Sequence, residues 1–199
     1  PYPHIKEMTS HVLDIKSITD LHTALIDQAS KGHCLLKGNL KRELDNESRA
    51  GTTDRFGYTQ LLVFDIDGLV LESHKNTSFT KAKIKNLAEQ IVNLLPKQIH
   101  DTSYIVQASA SLGMRKDQIS IHIFMLLKIP FPPTTIKMWL EYINLNSTFN
   151  TQIKLSVNGT SLCYVLDPSV ADNSKLIFIA APVFQNKKMN PFRNDLDRI

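Results

Sequence analysis

Two apolar stretches of the chain carry polar side chains at alternating positions, and this alternation constrains the fold more than any other feature. One stretch reads Leu-Val-Phe-Asp65-Ile-Asp67-Gly, and the other reads Gln-Ile-Ser120-Ile-His122-Ile-Phe. Because side chains alternate between the two faces of a β-strand, Asp65 and Asp67 share one face of the first strand. Ser120 and His122 share a face of the second strand in the same way. The pattern predicts two strands that each have one polar and one apolar face.

The segments around these two strands predict a mixture of helices and strands. Helices are expected after Ser17, after Thr80 and after Pro132, where capping residues or proline precede apolar residues at helical spacing. Strands are expected at 33–37, 60–66, 103–108, 118–127, 153–157, 162–166 and 176–180. From residue 60 onward the order is β-α-β-β-α-β, the split-βαβ order of ferredoxin-like and RNA-recognition-like (RRM-like) folds. In that arrangement the first and third strands of the unit are neighbours at the centre of the sheet.

The predicted architecture is a single domain of class α+β. Residues 59–184 are expected to form an RRM-like core around a central, mainly antiparallel sheet. Residues 1–58 are expected to form an N-terminal α/β extension of helix, strand and basic loop, and residues 185–199 a C-terminal tail. Neither a repeat nor a Pro/Gly-rich linker divides the 199 residues.

Composition and cysteine usage indicate an ordinary globular protein. The chain is 42% hydrophobic, and its longest apolar run, 176–184, is about half the length of a membrane span. No membrane partner is expected. Cys34 and Cys163 lie far apart without Cys or His partners at zinc spacing, which favours reduced thiols and a cytoplasmic location. The net charge of +4 is compatible with a nucleic-acid partner but does not select one.

If the two polar strands are neighbours, two carboxylates, a hydroxyl and an imidazole meet on one sheet face. Polar groups buried there cost about 1–3 kcal/mol each unless they are paired, and a metal site relieves that cost. A pair of carboxylates suits hard divalent cations, and a two-metal site usually needs a third carboxylate. Asp167 is the leading candidate for this third position and Asp172 the second. His122, Arg115 and Lys116 are expected to contact the phosphates of a bound triphosphate.

These motifs resemble those of the archaeo-eukaryotic primase superfamily, especially the primase-polymerases of plasmids and phages. The family has a hydrophobic-D-hydrophobic-D strand, an S-x-H strand and a later hydrophobic-D, which here reads Val-Leu-Asp167-Pro. The stretch 107–127 also resembles the serine-rich strand and hairpin that precede the histidine. The similarity covers about residues 33–184.

The resemblance implies a nucleotidyltransferase that synthesises primers on a single-stranded DNA template. It implies that Asp65, Asp67 and Asp167 are catalytic and bind two Mg²⁺ or Mn²⁺ ions, while Ser120 and His122 help to bind the nucleotide. Arg49 is assigned to nucleotide or template contact. The implied partners are the DNA template, ribo- or deoxyribonucleoside triphosphates, and a replicative helicase, either fused or separate.

Two other readings remain open. The stretch from Val63 to Leu69 resembles the first motif of haloacid-dehalogenase-like phosphatases, in which Asp65 would be the phosphorylated nucleophile and Asp67 the acid/base. That family requires a parallel, doubly wound sheet. The second is a non-catalytic RRM-like module that binds nucleic acid. Such modules normally stack bases on aromatic residues of their central strands.

Overall fold

The computed structural model describes residues 7–71, 79–115, 117–186, 189–192 and 194–199, and within them the fold is a mixed α+β fold. The elements in chain order are α1 (Ile18–Ser30), β1 (Cys34–Leu36), β2 (Thr59–Leu69), α2 (Lys81–Val92), β3 (Tyr104–Ala108), β4 (Ile119–Phe131), α3 (Pro133–Asn146), β5 (Lys154–Leu155), β6 (Leu162–Cys163) and β7 (Leu176–Phe178). The α+β class and the order of the elements agree with the predictions from the sequence.

The helices begin at the residues that the capping pattern indicates. Ser17 Oγ accepts a hydrogen bond from the backbone N–H of Asp20 at 3.1 Å, which satisfies a donor of the first turn of α1. Thr80 Oγ1 accepts from Lys83 N at 3.3 Å at the start of α2. Pro133 occupies the first turn of α3, where its missing N–H costs no hydrogen bond.

The central sheet has the strand order β2-β4-β3, and both pairings are antiparallel. The predicted adjacency of the first and third strands is therefore confirmed. Strand β4 is longer than predicted and continues past residue 127 to Phe131, which pairs with Thr59. Residues 128–130 are exposed at this end of the sheet, so a lysine and a proline are tolerated there.

One face of the sheet is apolar and packs against α2 and α3. Phe64 and Ile66 are fully buried on this face, and the ring of Phe64 lies 5.8 Å from that of Trp139 in α3, centroid to centroid. The helical stripe of α2 is buried as its spacing predicts and consists of Ile84, Leu87, Ala88, Ile91 and Val92. This packing places the helices on one side and leaves the other face for the polar residues.

The segments predicted to be an extension and a tail are packed into the molecule. β1, in the predicted extension, pairs with β7 of the predicted core in an antiparallel ladder. Phe192 is buried and stacks on Phe79, with ring centroids 5.6 Å apart. Among the helices that the structure describes, none combines the length and apolar character that crossing a membrane requires.

Candidate functional site

The register between β2 and β4 brings the four alternating polar residues together. Asp65 pairs with His122, and Asp67 pairs with Ser120. Ser120 Oγ donates a hydrogen bond to Asp67 Oδ1 at 2.7 Å, and His122 Nε2 lies 3.4 Å from Asp65 Oδ1. Directly opposite residues of antiparallel strands share a face, so all four side chains lie on the face away from α2 and α3.

A β-bulge at Gly68 ends this polar face. Asp67 pairs with Ser120 and Leu69 pairs with Ile119, so Gly68 is one extra residue in β2. The bulge turns Leu69 into the core, where it is fully buried, instead of leaving it beside Asp67. Gly68 has φ of +74°, a conformation that strains other L-residues. The glycine of the Asp-Ile-Asp-Gly stretch therefore has a backbone role.

Asp167 reaches the same face along the other edge of β2. Ile66 and Leu166 form an antiparallel bridge, and Asp167 N donates to the carbonyl oxygen of Asp65 at 2.9 Å. This register places Asp167 opposite Asp65, on the side away from His122. The structure thus brings Asp65, Asp67 and Asp167 together, although about 100 residues separate the third aspartate from the first two.

A buried asparagine of α3 holds this edge segment in place. Asn144 is fully buried, donates from Nδ2 to Leu166 O at 2.9 Å and accepts from Leu166 N at 3.0 Å. The backbone groups of Val165 and Asp167 bond to β2. The N–H and C=O of Leu166 point away from β2, and Asn144 supplies their hydrogen-bond partners. The segment preceding Asp167 is therefore fixed from both sides.

The carboxylate of Asp167 is held by two neighbouring side chains. Its Oδ1 accepts from Ser169 N at 2.8 Å, and its Oδ2 accepts from Ser169 Oγ at 2.6 Å and from Lys175 Nζ at 3.2 Å. Burial acts to raise the pKa of Asp167, but the hydrogen bonds from Ser169 and the charge of Lys175 outweigh it and lower the pKa. The carboxylate is thereby stabilised in its ionised form.

These residues line a cleft with a volume of about 680 Å³. The three aspartates and His122 face it, together with Ser109, Ser111 and Lys175. The two serines belong to the 107–127 stretch, whereas Ser120 is not among the lining residues. No sequence pattern indicated Lys175, because its position depends on the turn that follows Asp167.

Asp172, the second candidate for the third carboxylate, lies outside the residues that line this cleft. It pairs with Arg55, with 2.8 Å between Asp172 Oδ2 and Arg55 Nη2. Burial acts to raise the pKa of Asp172, but hydrogen bonds from Ser174 and the charge of Arg55 lower it overall. The short turn Pro168–Ala171 separates the two aspartates. The structure brings Asp167, and not Asp172, to Asp65 and Asp67.

The basic residues assigned to nucleotide contact are not brought to the cleft in the part of the chain that the structure describes. Arg49 Nη1 donates to the backbone carbonyl of Ser174 at 2.8 Å, which supports the loop after Asp172. Arg115 is exposed in the connection between β3 and β4 and is not a lining residue. Lys116 lies outside the described residues.

The donor set suits hard cations, but the carboxylates have other partners in this conformation. In the described residues, no group of three or more His, Cys, Asp and Glu side chains is arranged to hold a metal ion. Ser120 donates a hydrogen bond to the carboxylate of Asp67, and Ser169 and Lys175 donate to that of Asp167. Three carboxylates on one face are the oxygen ligands that Mg²⁺ and Mn²⁺ take in proteins. Their chemistry therefore fits such ions, provided that these hydrogen bonds are exchanged.

In comparisons with protein-family models, curated proteins and solved structures, nothing matches this chain. The function is therefore inferred from the geometry of the cleft and from the motifs that line it.

Proposed function

We propose that this chain is the catalytic domain of a primase or primase-polymerase, with an RRM-like core, that transfers nucleotides to a growing strand on a single-stranded DNA template. The observation that carries the proposal is the convergence of Asp65, Asp67, Asp167 and His122 on one cleft, with Ser120 bonded to Asp67 beside it. These residues belong to the three motifs that resemble those of primases.

The direction of the strands supports this proposal over a phosphatase. A haloacid-dehalogenase-like phosphatase needs a parallel sheet around its aspartate strand, whereas each strand pair in the described part of the chain is antiparallel. The polar face also carries Asp, Ser and His at the positions where an RRM-like binding module carries stacking aromatics. Carboxylates without metal would repel the phosphates of a nucleic acid, which disfavours a purely binding role.

The proposed roles follow from the chemistry of each group. Asp65, Asp67 and Asp167 would hold two Mg²⁺ or Mn²⁺ ions, which supply activation of the primer hydroxyl and stabilisation of the leaving pyrophosphate. Ser120 Oγ would release Asp67 and, with His122, contact the nucleotide. Lys175 would exchange its contact with Asp167 for an anionic oxygen of the nucleotide, since its ammonium group lies in the same cleft.

The proposal is tested by primer synthesis on single-stranded DNA with labelled nucleotides and Mg²⁺ or Mn²⁺. We expect Asp65→Ala and Asp67→Ala each to abolish synthesis, because each change removes a carboxylate that the metals need. Asp27→Ala is the matched control, because Asp27 is exposed on α1 and its carboxylate contacts Lys31 and Gln28, which do not line the cleft. Circular dichroism and thermal unfolding should show that all three variants are folded.

Two outcomes would contradict the proposal. One is full primer synthesis by Asp65→Ala or Asp67→Ala. The other is hydrolysis of phosphate esters by the unchanged protein through an aspartyl-phosphate at Asp65, without primer synthesis, which would support the phosphatase alternative.

A further inference from the structure

A buried glutamine, the first residue of the 107–127 stretch, lies behind His122, and the sequence did not predict a role for it. Gln107 is on β3 directly opposite His122, and it is 2% exposed. Across the sheet the order of facing side chains is therefore Gln107, His122, Asp65 and Asp167. A polar residue within the otherwise apolar strand Tyr-Ile-Val-Gln-Ala requires hydrogen-bond partners to be buried at low cost.

The partners of Gln107 fix the orientation of its side-chain amide. Its Nε2 donates to the backbone carbonyl oxygen of Ile179, which can only accept a hydrogen bond. The amide nitrogen must therefore face Ile179, and the amide oxygen Oε1 must face the ring of His122. This oxygen lies 3.0 Å from His122 Nδ1.

The fixed amide in turn determines which ring nitrogen of His122 carries the proton. Because Gln107 Oε1 can only accept, Nδ1 must be the N–H that donates to it. The other nitrogen, Nε2, lies 3.4 Å from Asp65 Oδ1, outside the usual range of about 2.7–3.2 Å for a hydrogen bond from N–H to oxygen. Both distances agree with a proton on Nδ1 and a bare Nε2 in the neutral ring.

We propose that Gln107 is a positioning residue that holds the neutral ring of His122 as its Nδ1–H tautomer and keeps Nε2 as the nitrogen that faces the cleft. Asp65 acts in the opposite sense, since a carboxylate next to Nε2 favours an N–H at that atom. The backbone carbonyl of Ile179, acting through Gln107, decides this competition. That Nε2 contacts a nucleotide rests on the proposed function, whereas the tautomer does not.

The tautomer can be measured directly in the unchanged protein. In ¹⁵N NMR spectra at alkaline pH, where imidazole rings are neutral, the protonated and the bare nitrogen have well-separated chemical shifts. The signal of His122 is assigned by its loss in His122→Asn. We expect the proton on Nδ1. A proton on Nε2 overturns the proposal, whether or not the protein makes primers.

The role of Gln107 is tested by removing its hydrogen bonds at nearly constant side-chain length. In Gln107→Met we expect the His122 proton to move to Nε2, toward Asp65. In Gln107→Glu one carboxylate oxygen still accepts from Nδ1, while the other no longer donates to the carbonyl of Ile179. We therefore expect the Nδ1–H form to be retained, and this variant gives a second readout beside the methionine variant. Gln60→Met is the matched control, because Gln60 also donates to a backbone carbonyl of this sheet, that of Leu127, without touching His122.

The link to nucleotide binding is tested separately in the primer assay. We expect Gln107→Met to lower kcat/KM for the nucleotide by roughly 10- to 100-fold, mainly through KM, the range typical of residues that orient metal-bound imidazoles. Unchanged kinetics together with a changed tautomer would overturn the positioning role. A correct tautomer in a protein that makes no primers would instead count against the proposed function alone.

Discussion

The two faces of the β2–β4 strand pair are built from neighbouring residues and have opposite properties. On one face Phe64 and Ile66 are fully buried beneath the helices. On the other, Asp65 and Asp67 line an open cleft, where Asp67 accepts a hydrogen bond from Ser120 and Asp65 lies beside His122. The same two strands therefore contribute core packing on one face and the proposed catalytic residues on the other, because successive side chains of a strand point to opposite faces.

This division also explains why the polar face tolerates charge. The helices that cover the apolar face leave the opposite face at Asp65 and Asp67 open to the cleft, so neither carboxylate is enclosed in the core. Further along the same face Phe124 is buried, so the polar region is confined to one end of the strand pair. The bulge at Gly68 sets its other limit.

The largest expected effect concerns which aspartate completes the polar face. We expect Asp167→Asn to lower the rate of primer synthesis on the order of 1000-fold, or about 4 kcal/mol in activation free energy, because it weakens a proposed metal ligand. Asp172→Asn removes an exposed ion pair with Arg55, so we expect a change below about 3-fold. Steady-state primer synthesis measures both. A reversed order would assign the third carboxylate to Asp172.

The next effect separates stability from activity across the two faces. We expect Phe64→Ala to lower the free energy of unfolding by about 3 kcal/mol, because it leaves a cavity beneath Trp139. Asp67→Ala removes one hydrogen bond, from Ser120, and should cost about 1 kcal/mol or less. Urea unfolding of both variants compares them. Equal losses of stability would contradict the division between the faces.

The smallest effect concerns a lysine behind the turn that follows Asp167. Lys37 Nζ donates to the backbone carbonyls of Val170 and Ala171, and burial lowers its pKa from 10.5 to about 8, with the charge of Asp172 acting in the opposite sense. At a pH between these two pKa values Lys37 is protonated in the unfolded chain and largely deprotonated in the folded protein. Its contribution to the free energy of unfolding therefore increases with pH.

Lys37→Met isolates this contribution. We expect the free energy of unfolding of the unchanged protein, minus that of the variant, to increase from pH 7.5 to pH 9.5. Urea unfolding at the two pH values measures the difference, and Lys41→Met is the control because Lys41 is exposed. A difference that stays constant or falls with pH would contradict the assigned burial.

Much of the fold followed from the sequence because its local signals agree with the tertiary structure. The caps at Ser17 and Thr80, the helical spacing of α2 and the alternation in β2 and β4 each indicate an element that is present. The β-α-β-β order then made the adjacency of β2 and β4 predictable, and with it the meeting of Asp65 with His122.

The sequence favoured Asp167 over Asp172 as the third carboxylate, but the contacts that fix its place could not be predicted because no local pattern encodes them. The place of Asp167 depends on the pairing of Leu166 with β2 and on Asn144 of α3, which are contacts between distant segments. Arg49 carries the charge expected of a nucleotide contact, yet it bonds to a loop carbonyl. A charge in the sequence does not specify the surface on which it will lie.

The sequence by itself determined which residues share a face, because the two-residue period of a strand is a local property of the backbone. Only the tertiary structure decided that Asp167 joins this face while Asp172 does not, and that Gln107 lies behind His122. Such choices depend on which strand edges pair and on which carbonyls point inward, and these follow from the packing of the whole chain.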